Sequence, residues 1–219
     1  MMIHDFGWDS VEFLLRASLW TLGLSVIAFV IGGFFGLILA LLRSLGPRPA
    51  KLVVAGYIQI VQATPLLIIV FIAFYGLSFA GLYFPPLLAA GISLSIYTSA
   101  YLADIWRGCI EAIPKAQWEA TEALAFSRTQ QLRYVILPQA FRIAIGPTVG
   151  FMVQIIKNTS VTALIGFVEL TRAGQLLNNM TFQPFIVFLT VAGIYFCFCY
   201  PLSYLSQKLK GKRSVERAH

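Results

Sequence analysis

The residues of this chain that could act on a solute are few, and they sit in unusual company. Lys157-Asn158-Thr159-Ser160 places a cation, an amide and two hydroxyls inside an apolar stretch running from about 141 to 168. Polar groups at such depth are expensive unless they line a path or gate, so this set can hold or pass a polar solute. Lys157 has a second reading, as a cation that snorkels to the outer interface. Glu169 and Arg172, three residues apart, form either a solvated helix pair or a carboxylate set to meet a cationic group on the solute. Thr64-Pro65 interrupts another apolar run, and a proline there weakens the helix ladder and frees carbonyls, which is tolerated where backbone lines a cavity. We therefore expect Thr64, Pro65, Lys157, Asn158, Thr159, Ser160 and Glu169 to supply a substrate path or gate. The 64–67 and 157–160 segments would face one another across it.

Bond-making chemistry has no support. His4 and His219 lie at opposite termini, which argues against a histidine metal site or a His-dependent nucleophile. Cys109, Cys197 and Cys199 lack metal-ligand spacing and read as core or lipid-facing thiols. There is no Gly-x-x-x-x-Gly-Lys-Ser/Thr loop to cradle nucleotide phosphates. The chain is not expected to be an enzyme or to bind a cofactor or metal.

Positioning falls to membrane helices. Apolar residues make up 58% of the 219 and charged residues 11%, well below the roughly 25% charge of a soluble domain. Charge-free runs and turn signals predict an all-α membrane protein with five spans at about 17–42, 53–78, 86–106, 140–157 and 184–206, the fourth broken or short. The uncharged run 52–103 would reach about 78 Å as a single helix, over twice a hydrocarbon core of about 30 Å. It must fold back near Gly81 and Pro85-Pro86. Of the 16 Lys and Arg residues, thirteen fall on one side of this topology and three (Arg16, Lys157, Arg172) on the other. The positive side is cytoplasmic, which puts the N-terminus outside and the C-terminus inside. The net charge of +7 thus needs no nucleic acid, and anionic lipid can hold the basic tail. The first ten residues carry Asp5 and Asp9 without Lys or Arg and read as a short amphipathic outer segment, unlike a signal peptide. Gly32, Gly36 and Ala40 form a small-residue face for close packing, within the subunit or against a dimer partner.

The 107–138 segment lies between spans yet has the pattern of two short helices joined by a turn. Trp118, Leu124 and Phe126 are apolar anchors among Glu119, Glu122, Arg128 and Arg133, with a break at Ser127-Arg128. Such a rigid cytoplasmic projection can sit in a groove of a soluble partner. A self-sufficient ion-coupled carrier or channel, the alternative, would be expected to show internal repeats and intramembrane carboxylates. No clear repeat is visible, and Asp104 sits near a cytoplasmic end beside Arg107.

Glu119-Ala120, Leu137 and Pro138 resemble the EAA loop of permease subunits in ATP-binding-cassette importers, at matching spacing. Thr121, Ala125 and Val135 replace its Ala, Gly and Ile. The Gly-to-Ala change suggests a turn one or two residues later, or an ordinary helical backbone at Ala125. Thr64-Pro65-Leu66-Leu67, Tyr75-Gly76-Leu77, Arg107-Gly108, Ile113-Pro114 and Lys157-Asn158-Thr159-Ser160 are similar to the polar amino-acid branch (histidine, glutamine, glutamate and arginine uptake). The resemblance implies a five-span permease core in the bacterial cytoplasmic (inner) membrane. It also implies a second permease subunit, a cytoplasmic ATPase dimer that uses the ATP, and an extracytoplasmic solute-binding protein. Glu119, Ala120, Glu122, Ala123, Ala125, Leu137 and Pro138 would dock the ATPase. Ile69 and Gly150 stand where the branch tends to carry amides, so this subunit is expected to hold part of the substrate site, within a heterodimer.

Overall fold

The computed structural model describes residues 6–79 and 81–216. Among them the chain is helical, beginning with α1 (Trp8–Leu45), whose 38 residues would measure about 57 Å. It is followed by α2 (Arg48–Ala63), α3 (Leu66–Phe71), a π turn (Ile72–Gly76), α4 (Leu77–Phe79) and α5 (Pro86–Glu111). Then come α6 (Lys115–Ala123), α7 (Arg128–Gln130), a π turn (Gln131–Ile136), α8 (Leu137–Asn158) and a 3₁₀ segment (Thr159–Ile165). The chain closes with α9 (Leu170–Thr181) and α10 (Pro184–Glu216). Four helical stretches are long and apolar enough to cross a membrane, and α2 with α3 makes a fifth if that bent pair is one span.

The helices overrun the predicted spans at most ends. Charges close an apolar run without closing a helix, because Arg, Lys and Glu are good helix formers. Arg16 lies within α1, paired with Glu12 one turn earlier at 2.6 Å. The expected amphipathic outer segment is corrected accordingly: residues 1–5 lie outside the described residues, and from Trp8 the chain already belongs to α1. His4 and His219 also lie outside the described residues.

α1 and α5 form the tightest pair, and the glycines set their separation. A Cβ on Gly32 would stand 2.6 Å from Thr98 Cβ, and one on Gly36 would stand 3.0 Å from the Ser99 carbonyl oxygen. The small-residue face therefore serves a neighbour within the subunit. Leu24 and Ala28 of α1 are buried there against Leu94 and Leu102 of α5. Behind them, Leu14, Leu170, Leu177, Val187 and Val191 join α1, α9 and α10 in a second core.

The sharpest break in a span lies at Thr64-Pro65, where α2 and α3 diverge by 101°. Pro65 has extended ψ (135°) and no N–H, while the Thr64 hydroxyl donates to the Ile60 carbonyl at 2.7 Å and closes α2. In the fourth span the interruption at 157–160 takes another form: the α-helix tightens into the 3₁₀ segment at Thr159 and ends at Gly166, whose φ is +82°. Pro147 stays inside α8. The neighbouring Gly146 carbonyl accepts the Ser206 hydroxyl at 2.9 Å, which ties α10 to α8.

Candidate functional site

Two constructions stand out, a bracket outside the spans and a polar seam between them. The bracket begins where Pro114 starts α6. The side of α6 nearer the bundle is held by Trp118, packed against Ile110, Ile113 and Ile136, with the Arg128 guanidinium 4.5 Å above its ring. Thr121 is buried and donates its hydroxyl to the Trp118 carbonyl at 2.7 Å. Glu119, Ala120, Glu122, Ala123, Leu124 and Ala125 are exposed. Leu124, expected as an anchor, is instead 67% exposed and presents an apolar tip to the outside.

The turn after α6 corrects the expectation for Ala125. Ala125 itself takes the left-handed conformation, φ +54°. Its N–H donates to the Glu122 carbonyl at 2.9 Å and the Phe126 N–H to the Thr121 carbonyl at 3.1 Å. These are the two bonds of a Schellman motif, which normally has glycine at this position. They hold the turn in place despite the Cβ penalty. Ser127 then caps the next helix through Gln130, and Gln131, 4% exposed, donates to the Phe126 carbonyl at 3.2 Å. Gln139 reaches back to Gln117 at 3.2 Å and joins the two arms.

The second arm differs from the short helix expected. From Arg128 it runs on through the π turn into α8, giving one stretch to Ile165. The π turn lies just ahead of Pro138, which removes one N–H from the ladder. The second arm is thus continuous with a membrane-length helix.

The polar seam lies along α8, beside α5 and α3. Tyr97 and Tyr101 stack at 4.3 Å, and Phe151 lies 5.5 Å from Tyr101 with planes 11° apart. One turn further along, Gln154 donates to Asn158 Oδ1 at 3.0 Å, while Asn158 Nδ2 is buried with no partner among the described residues. The α3 helix packs against the 3₁₀ segment that begins at Thr159. The hydroxyls of Thr64, Thr159 and Ser160 all donate to carbonyls of their own helices at 2.7–2.8 Å. Thr159 is fully buried, whereas Lys157 is exposed.

Comparison with known proteins decides the class. The family described as "binding-protein-dependent transport system inner membrane component" matches residues 32–210. The chain belongs to that family. This permease is 32% identical over 212 residues to the probable amino-acid ABC transporter permease protein YckA of Bacillus subtilis, covering 90% of this chain and 92% of that protein. It is 31% identical over 210 residues to the glutamine transport system permease protein GlnP of Escherichia coli K12, covering 95% and 96%. A solved structure described as an amino acid ABC transporter with histidines superposes with a TM-score of 0.87 at 30% identity, covering 92% of this chain and 94% of that one. The permease is therefore an all-α, multi-pass inner-membrane protein, and these relatives are permease proteins of amino-acid and glutamine transport systems. Nothing among them supports an ion-coupled carrier or channel.

Glu169 has a different place in the permease from either expected. Its side chain is fully buried and caps α9, accepting from the Arg172 N–H at 2.8 Å and from the Tyr195 hydroxyl at 2.9 Å. Thr21 of α1 donates to the same Oε2 that takes the Tyr195 hydroxyl, at 3.5 Å, and accepts from the Leu170 N–H at 3.1 Å. Arg172 directs its guanidinium to Gln175 at 3.2 Å, so the two side chains form no ion pair. Burial pushes the Glu169 carboxyl up from its ordinary range, against hydrogen bonds that pull it down. The carboxylate is committed to joining α1, α9 and α10. Cys199 is buried and Cys197 exposed.

Tyr97, Phe151 and Gln154 escaped the sequence reading, and Tyr101, part of the Ser99-Ala100-Tyr101 match to the branch, was given no place on the path. Their signal was present as spacing: tyrosines four apart on one helix, and an aromatic and two amides at i, i+3 and i+7 on another.

Proposed function

We propose that this permease moves polar amino acids inward across the cytoplasmic membrane by alternating access, as one of two permease subunits. Two cytoplasmic ATPases bind and hydrolyse the ATP, and an extracytoplasmic protein delivers the solute. This chain carries no cofactor of its own. The observation that carries the reading is the bracket: an exposed, internally braced helix whose second arm is continuous with a span. Glu119, Ala120, Glu122, Ala123 and Ala125 form its outer surface, and Leu137 and Pro138 lie at the junction with the span. ATP closure of the ATPases would push α6 and tilt α8 as one lever, since a state change needs differential contacts in the two states.

The solute path is assigned to the seam where α3 meets the start of the 3₁₀ segment, with Thr64, Pro65, Lys157, Asn158, Thr159 and Ser160 around it. Tyr97, Tyr101 and Gln154 are added to it, and Glu169 is assigned a structural role. Ile69 and Gly150 bring no amide to this path, which favours a heterodimer in which the other permease completes the site. The N-terminus is assigned to the outside and the C-terminus to the cytoplasm. Uptake into vesicles holding the permease pair, ATPase and binding protein, assayed with a panel of amino acids, tests the reading. ATP-dependent uptake of a polar amino acid supports it, and uptake driven by an ion gradient without ATP contradicts it. Full activity with this permease alone would rule out the heterodimer.

A further inference from the structure

The weakest point in the run from the bracket into the membrane is Pro147. It lies inside α8, has no N–H to give the Ile143 carbonyl, and crowds that carbonyl with its ring. Gly146 beside it is the other residue type that weakens a helix interior. A helix with this pair at its middle kinks there under load unless something holds it. Yet Arg128–Ile165 is one stretch. Two side chains from other spans grip α8 on either side of the proline. The Ser206 hydroxyl of α10, 4% exposed, donates to the Gly146 carbonyl at 2.9 Å. The Trp106 Nε1–H of α5 donates to the Thr148 hydroxyl at 2.9 Å. The Trp106 ring is backed in turn by α1, where a Cβ on Gly33 would stand 3.7 Å from it. Both bonds land on the immediate neighbours of Pro147, and they come from different helices.

We propose that Trp106, Thr148 and Ser206 splint α8 at Pro147, so that a displacement of the bracket reaches the Asn158–Ser160 end of the span instead of being lost in a bend. They are positioning residues, acting through α8 from outside the docking surface and the solute path. This role rests on the proposed lever from bracket to span. At 1.5 Å per residue, Leu137 lies about 15 Å to one side of Pro147 and Asn158 about 16 Å to the other. The splint therefore sits midway between the point where load enters α8 and the point where it acts.

The test uses the complete importer in vesicles, with spin labels on Tyr134→Cys in the arm and Leu164→Cys at the far end, both exposed positions, in a Cys197→Ser background. Wild type is compared with Thr148→Val/Ser206→Ala, which removes both bonds at nearly constant side-chain size. In the wild type the 134–164 distance, about 45 Å along a helix, should stay narrow and unchanged when ATP binds. In the variant ATP should broaden and shorten it, each lost bond moving the balance toward the bent form about fivefold. Uptake per ATP hydrolysed should fall by a similar factor while hydrolysis continues. Trp106→Phe removes one of the bonds from the α5 side and should give an intermediate effect. Adding Pro147→Ala to the variant returns the missing ladder bond and should recover both the narrow distance and the coupling, which a mere loss of packing would not. A wild-type distance that itself shortens with ATP would overturn the proposal, because α8 would then bend freely at Pro147. So would a variant whose distance stays as narrow as the wild type's, or one that Pro147→Ala leaves uncoupled. The lever itself is read separately, from the distance between the Ala123 sites of the two permeases, whereas the splint stands or falls on the 134–164 distance.

Discussion

Ala125 carries a left-handed backbone that glycine adopts without penalty, and two hydrogen bonds hold it there. Ala125→Gly should relieve roughly 1 kcal/mol of strain. Amides of the 121–127 turn should then exchange with solvent about fivefold more slowly in the assembled complex, and Ala125→Val should accelerate them. At Glu169 the folded pKa is raised from 4.5 by burial, so the native state holds its proton more tightly than the unfolded chain does. The contribution of this carboxyl to stability is therefore fully present below 4.5 and is lost as pH rises through the raised pKa. Glu169→Gln removes this titration, and thermal unfolding between pH 4 and 8 should show a flatter slope than the wild type. An unchanged slope would mean that another group titrates. The Glu169 role was hidden in sequence because its partners, Thr21 and Tyr195, lie 148 and 26 residues away. The αL turn at Ala125 was missed for a different reason: alanine disfavours the conformation, and only the backbone bonds of the Schellman motif reveal it.

At the scale of elements, the bracket and the spans depend on different forces. Glu119 is exposed, and exposed substitutions away from caps and cores change stability by under about 0.5 kcal/mol. Glu119→Lys should therefore insert and assemble its spans normally yet lose coupled uptake, with ATPase retention on purified permease as the check. Normal uptake with the ATPase retained would remove Glu119 from the docking surface. Gly32→Val acts on packing instead: its Cβ has 2.6 Å to Thr98, so it should cost about 1–3 kcal/mol and lower the unfolding temperature. The apolar helices and the bracket's spacing were legible because hydrophobic runs and a loop motif are local patterns. The continuity of Arg128 into Ile165 was not, since Pro138 reads locally as a helix boundary and the π turn that accommodates it leaves no compositional mark. Similarly, Lys157-Asn158-Thr159-Ser160 marked the change of helix type, whereas the aromatic stack that completes the seam joins two helices distant in sequence, through Tyr97 and Tyr101 on one and Phe151 on the other.

For the whole molecule, the proposed five crossings would put the termini on opposite sides, and the proposed orientation follows the Lys and Arg bias. Trp8, 79% exposed, can be replaced by cysteine and probed on intact cells with an impermeant thiol reagent, in a background lacking the exposed Cys197. Labelling at position 8 but not at 214 is expected; the reverse would invert the topology. The central claim is that ATP hydrolysed elsewhere moves these spans through α6. The most direct measurement is distance change across the bracket, using spin labels at Ala123 and at a fixed site on the ATPase, recorded with and without ATP in the reconstituted importer. The account predicts a label pair that stays at constant distance from the ATPase, while a second pair, from Ala123 of one permease to Ala123 of the other, shortens when ATP binds. An Ala123 pair that does not move, in a complex that still transports, would contradict it.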